Sequence, residues 1–77
     1  MPNDDIQRIR TAVRNGVLDE GAVQDAMQRE MTTLDNPGFC LECGNEQDGC
    51  EPDARNHWCE VCGKHAVFGA AEIMLVL

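Results

Sequence analysis

The chain has 77 residues with 43% hydrophobic content, yet only two phenylalanines, one tryptophan and no tyrosine, so its apolar core is thin. A single domain of this size lies below the length at which hydrophobic burial alone is comfortable, and a staple is expected. Fourteen acids against six lysines and arginines give a formal charge of −8. That balance lacks the basic footprint of a protein that neutralises phosphates, and it disfavours direct nucleic-acid binding.

The first 35 residues read as two short helices. Ile6, Ile9 and Val13 fall on one face of the first, with Arg10 and Arg14 away from it. Asp4, followed by Gln7 three residues on, has a capping-box pattern, and Asn15-Gly16 suits a left-handed C-cap. A second helix starts after Asp19, with Leu18 and Val23 placed as a hydrophobic staple. Val23, Ala26, Met27, Met31 and Leu34 continue its apolar face until Asn36-Pro37-Gly38 stops it. The short connection predicts an antiparallel hairpin. Met27 and Met31 are expected to fill the core, and Arg8, Arg10 and Arg14 to form a solvated face paired with nearby acids.

The next stretch contains an internal repeat. Phe39-Cys40-Leu41-Glu42-Cys43-Gly44 returns as Trp58-Cys59-Glu60-Val61-Cys62-Gly63 at an offset of 19 residues. Two Cys-x-x-Cys pairs at this separation match the spacing of a four-cysteine zinc site. Each turn lets two thiolates reach one ion, the following glycine accepts a positive φ, and two facing turns complete a tetrahedron. The candidate ligands are therefore Cys40, Cys43, Cys59 and Cys62, holding one zinc per chain. Structural zinc contributes roughly 10–16 kcal/mol in small zinc-finger peptides, which would serve as the missing staple. The odd count of five cysteines and the polar opening Asn3-Asp4-Asp5 point to thiolates held by metal in a reducing cytoplasm rather than to disulfides. No apolar run approaches the ~20 residues of a membrane span.

Residues 44–58, the excursion between the pairs, are acidic and rich in turn formers. Glu46, Asp48, Glu51 and Asp53 crowd this loop, which the metal site would anchor at both ends. Cys50 reads as a free thiol in an exposed turn, its pKa raised by Asp48, Glu51 and Asp53. Arg55 is expected to pair with a neighbouring acid. Residues 56–58 and 65–68 read as strands flanking the second turn, and Gly69-Ala70-Ala71-Glu72 leads to the apolar tail Ile73-Met74-Leu75-Val76-Leu77. The tail should pack under the hairpin or against a second copy. Cys50, His57 and His65 are further potential ligands, but the four paired cysteines already fill one shell. That closed shell leaves no position for a catalytic water, so no enzyme activity is expected.

Residues 36–72 resemble a zinc ribbon, in which two metal-binding knuckles cap a small antiparallel sheet. Asn36-Pro37-Gly38-Phe39-Cys40, the loop 46–55 and Val67-Phe68-Gly69-Ala70 further resemble small uncharacterised zinc-finger proteins encoded by bacteriophages and prophages of Proteobacteria. A hairpin followed by a finger also looks distantly like the DksA/TraR-type regulators, which act on RNA polymerase. The paired Cys-x-x-Cys-Gly turns are similar to those holding iron in rubredoxins, although rubredoxin pairs are farther apart and their cores richer in aromatics. The expectation is a small α+β metal-stabilised domain, with a helical hairpin at 1–35 and a four-cysteine zinc ribbon with its tail at 36–77. The resemblance implies a phage accessory protein that modulates a host or phage protein. Glu46, Asp48, Glu51 and Asp53 would bind a basic or nucleic-acid-binding partner. A nucleic-acid-binding ribbon and an iron electron carrier are the alternatives, and the oligomeric state is left open.

Overall fold

The computed structural model describes residues 3–33, 36–51 and 53–77, apart from the side chains of 30–33. Helix α1 spans Asn3–Arg14 and α2 spans Glu20–Thr33. Asp4 lies inside the first turn of α1 rather than capping it, where it and Asp5 complement the positive end of the helix dipole. The end of α1 follows the sequence. Gly16 has φ 78°, its amide donates to the Val13 carbonyl at 3.1 Å, and the Val17 amide donates to Ala12 at 2.9 Å. These two bonds close a Schellman motif and turn the chain within a few residues. Asp19 then caps α2, accepting from the Ala22 amide at 3.3 Å. Leu18 and Val23 are both buried beside it, as a staple requires. The expected contributions of Met31, Leu34 and Pro52 lie outside the described residues and side chains.

Four short strands follow: β1 Gly38–Cys40, β2 Glu46–Gln47, β3 His57–Trp58 and β4 His65–Gly69. They form one antiparallel sheet in the order β2-β1-β4-β3. The repeat in the sequence is a repeat in the register. Phe39 pairs with Glu46 in the first hairpin and Trp58 with His65 in the second, the same positions 19 residues apart. Strands β1 and β4 join the two hairpins, pairing Phe39 with Phe68 and Cys40 with Val67.

Residues 70–72 are not the turn expected before the apolar tail but open helix α3, Ala70–Met74, which packs on α2. Ile73 is fully buried, Met74, Val76 and Leu77 are partly buried against the core, and Leu75 is exposed. Ile9, Val23, Val67, Phe68 and Ile73 belong to one apolar cluster, so α1 and α2 both share a core with the sheet, but α2 packs on α3 rather than lying along α1 as the expected antiparallel hairpin would. Arg8 ties the halves further. Its guanidinium lies 5.5 Å from the Phe68 ring centroid and donates to the Asn56 side-chain oxygen Oδ1 at 2.6 Å and to Asp5 at 3.4 Å. No helix among the described residues is long and apolar enough to cross a membrane.

Candidate metal centre

The two Cys-x-x-Cys turns have the same backbone wiring. In the first, the Cys40 amide donates to the Asn45 carbonyl at 3.0 Å and the Gly44 amide to the Cys40 carbonyl at 2.9 Å. In the second, Cys59 donates to Lys64 at 2.9 Å and Gly63 to Cys59 at 3.0 Å. Gly44 and Gly63 take φ 79° and 75°, the left-handed region that closes each turn. Amides inside the turns point at sulfur: those of Glu42 and Cys43 lie 3.4 and 3.5 Å from Cys40 Sγ, and that of Cys62 lies 3.5 Å from Cys59 Sγ. Such bonds stabilise thiolate, the form that binds metal.

The hairpins bring all four sulfurs together within 4.8 Å of one another. Cys40 Sγ is 3.6 Å from Cys62 Sγ, and Cys43 Sγ is 3.6 Å from Cys59 Sγ. An ion held at about 2.3 Å by four thiolates has tetrahedron edges of about 3.8 Å, close to the two 3.6 Å separations, so the four sulfurs could hold one metal ion. Cys40 and Cys59 are buried, whereas Cys43 and Cys62 are exposed. In the absence of an ion the thiols titrate as a group. The Cys62 amide foremost, then the Val61 amide and the neighbouring thiols, pull Cys59 down to about 6. Cys43 is influenced most by the Asn45 amide, which lowers it, but burial and the thiols of Cys59, Cys40 and Cys62 together push it up to about 12. Burial also raises Cys40.

No family model, curated protein or solved structure matches the chain. What stands is a four-cysteine cluster, consistent with a zinc-ribbon-like site, in a small α+β fold. The likeness to phage zinc-finger proteins and to DksA/TraR-type regulators rests on the sequence motifs alone.

Of the remaining candidate residues, Cys50 departs most from expectation. Cys50 is not an exposed loop thiol: it is 3% exposed, and its amide donates to the Asn36 carbonyl at 2.8 Å. That bond continues the β1–β2 ladder away from the cysteines, so the loop runs to the opposite end of the sheet. The Gly69 amide pins it there by donating to Ala54 at 3.0 Å. The acids are thus not gathered beside the metal cluster. Asp48, Glu51 and Asp53 are exposed, while Glu46 on β2 accepts from Arg29 of α2 at 2.5 Å. Burial foremost, with the carboxylates of Glu60 and Asp48, raises the Cys50 thiol. Arg55 pairs with Glu72 of α3, at 3.4 Å, rather than with a loop neighbour. His57 and His65 are exposed, and neither belongs to the metal-competent group found among the described residues.

The sequence reading does not single out Gln47. Its side-chain amide donates to the Trp58 carbonyl at 3.1 Å, and its oxygen accepts from the Glu60 amide at 3.1 Å. Strand β2 is thereby tied to β3 and the second knuckle, linking the two edges of the sheet. No local signal marks a glutamine for this role, because its partners lie 11 and 13 residues away.

Proposed function

We propose that this chain is a non-enzymatic, zinc-stabilised protein-interaction module, acting in a bacterial cell as a phage-type accessory protein on a host or phage partner. The observation that carries the metal reading is the cluster of four sulfurs within 4.8 Å of one another, presented by two turns of the same backbone wiring. A closed set of four thiolates supports a structural ion, since it keeps no coordination position for water or substrate. Asp48, Glu51 and Asp53, exposed on a loop pinned at the far end of the sheet, suit a basic partner surface.

Elemental analysis of the purified protein tests the core of this reading, with one zinc per chain as the expected result. Cys40→Ser or Cys62→Ser should lose the ion. A red protein with thiolate-to-iron absorption would replace zinc by iron at the same residues, and a metal-free folded chain would overturn the reading. For the partner surface, Asp48, Glu51 and Asp53 reversed to lysine should keep zinc while weakening and slowing association with a basic partner. Unchanged association across a salt series would remove this loop from the interface.

A further inference from the structure

The two knuckles are alike in backbone and unlike in surroundings. The first is covered by the chain itself. A Cβ on Gly44 would lie 2.4 Å from the Val17 carbonyl oxygen, and Phe39 and Leu41 are 3% and 7% exposed. The corner between α1 and α2 sits directly on that turn. The second knuckle has no such cover. A Cβ on Gly63 would meet only the Trp58 indole nitrogen, at 4.0 Å. Trp58, the counterpart of Phe39, is 53% exposed, and Val61 is 68% exposed. Among the described residues, the exposed large apolar side chains are these two and Leu75.

Exposed charges of both signs bracket the apolar side chain along the second knuckle, Glu60 just before Val61 and Lys64 just after Gly63. Lys64 and His65 follow the turn onto β4, where His65 pairs across the sheet with Trp58. The chain's single lysine and both its histidines fall within residues 57–65 of a protein with net charge −8. This is the part of the surface that a second acidic copy can approach with least repulsion. An apolar side chain preceded by an acid and followed by a base can meet its own copy acid to base under a two-fold rotation. The outer edge of β3 is not open for strand pairing, because Gln47 already occupies the Trp58 carbonyl and the Glu60 amide. Contact must therefore be made by side chains.

We propose that the second knuckle seats a second copy of this chain in a two-fold dimer. Trp58 and Val61 of one copy pack on those of the other, and Glu60 faces Lys64 across the interface. The proposal rests on the metal-held knuckle of the preceding section and adds its partner. The apolar patch is small, so the dimer is a reversible one that forms as concentration rises. Because each copy carries −8, added salt screens the general repulsion and strengthens association, opposite in sign to the docking of an oppositely charged partner.

Sedimentation equilibrium and tryptophan emission on the intact chain, with zinc measured on the same samples, test this. Trp58 is the only tryptophan, so its emission reports on this surface alone. The expected result is a monomer–dimer equilibrium with Trp58 emission moving to shorter wavelength as the dimer forms. Trp58→Ser should weaken dimerisation more than about tenfold, as loss of a central aromatic anchor does. Lys64→Glu should weaken it too, and Lys64→Glu combined with Glu60→Lys should restore it. A zinc-loaded chain that stays monomeric into the millimolar range overturns this interface alone. So does a dimer that survives Trp58→Ser or whose Trp58 emission does not change. A dimer that carries no metal overturns the metal reading instead.

Discussion

Cys50 holds its thiol against the backbone of β1. A Cβ placed on Gly38 would come within 2.7 Å of Cys50 Sγ and 3.0 Å of the Phe68 carbonyl oxygen, so the two residues are fitted to each other. The nearest side-chain donor is the Gln47 amide, at 3.9 Å. Replacing the sulfur by a hydroxyl puts a more strongly solvated group where no well-placed partner exists. Cys50→Ser should therefore destabilise the fold by about 1–3 kcal/mol, with Cys50→Ala costing less and zinc content unchanged in both. Denaturant melts of the three proteins check this, and a neutral serine variant would show that the site admits water. The burial of Cys50 was not legible in its acidic neighbours, because it arises from a pairing with Asn36 fourteen residues earlier. The metal candidates were legible because their signal is local, in two short turns. Their titration carries a second prediction. Cys59, lowered to about 6, is largely ionised at pH 7, so zinc binding should release fewer protons than four ordinary thiols would. Cys43 stands near 12, so its proton must be displaced throughout the range between. Zinc affinity should accordingly rise with pH from 6 upward and fall on acidification. Calorimetry in buffers of different ionisation enthalpy counts the protons, and an affinity flat between pH 6 and 9 would contradict the assignment.

Among the elements, helices α1 and α2 and strands β3 and β4 were readable, whereas strands β1 and β2 and helix α3 were not. Gly16 and Asp19 carry backbone requirements that depend on their immediate neighbours, and both act where the pattern places them. Asp4 misses the cap by little, lying one residue past the start of α1 at Asn3. Strands β1 and β2 span three and two residues and exist through pairing with each other and with β4, so no alternation long enough to read announces them. Helix α3 is equally hidden, since Gly69-Ala70-Ala71 carries turn and helix signals together. The knuckles offer a test at this scale. Both glycines have positive φ, so Gly63→Ala should cost the roughly 1–2 kcal/mol of a left-handed residue with a side chain. At Gly44 the added methyl would also collide with the Val17 carbonyl, a backbone atom that cannot rotate away. Gly44→Ala should cost clearly more and loosen the α1–α2 corner, read as faster amide exchange around Val17. Equal losses at the two glycines would mean that the corner does not rest on the first knuckle as described.

For the whole molecule, the sequence suggests a helical hairpin followed by a ribbon, and the structure gives these segments a common interior. Ile9 of α1, Val23 of α2 and Ile73 of α3 join Phe39, Val67 and Phe68 in one cluster, which also contains the ligand candidates Cys40 and Cys59. Glu72 adds a polar tie. Its carboxylate is buried, its Oε2 accepts no hydrogen bond among the described residues, and Arg55 lies 3.4 Å away, joining α3 to the long loop. A core this small would have little stability to spare without an ion held by the four cysteines. Chelating the zinc should therefore melt the helices together with the ribbon, in one transition followed equally by helical circular dichroism and by Trp58 emission. Coincident curves are the expected outcome, because Phe39 and Val67 cannot leave the interior without uncovering Ile9 and Val23. If helical signal survives chelation while the Trp58 signal is lost, the hairpin folds on its own and the shared core is a docking contact between two units.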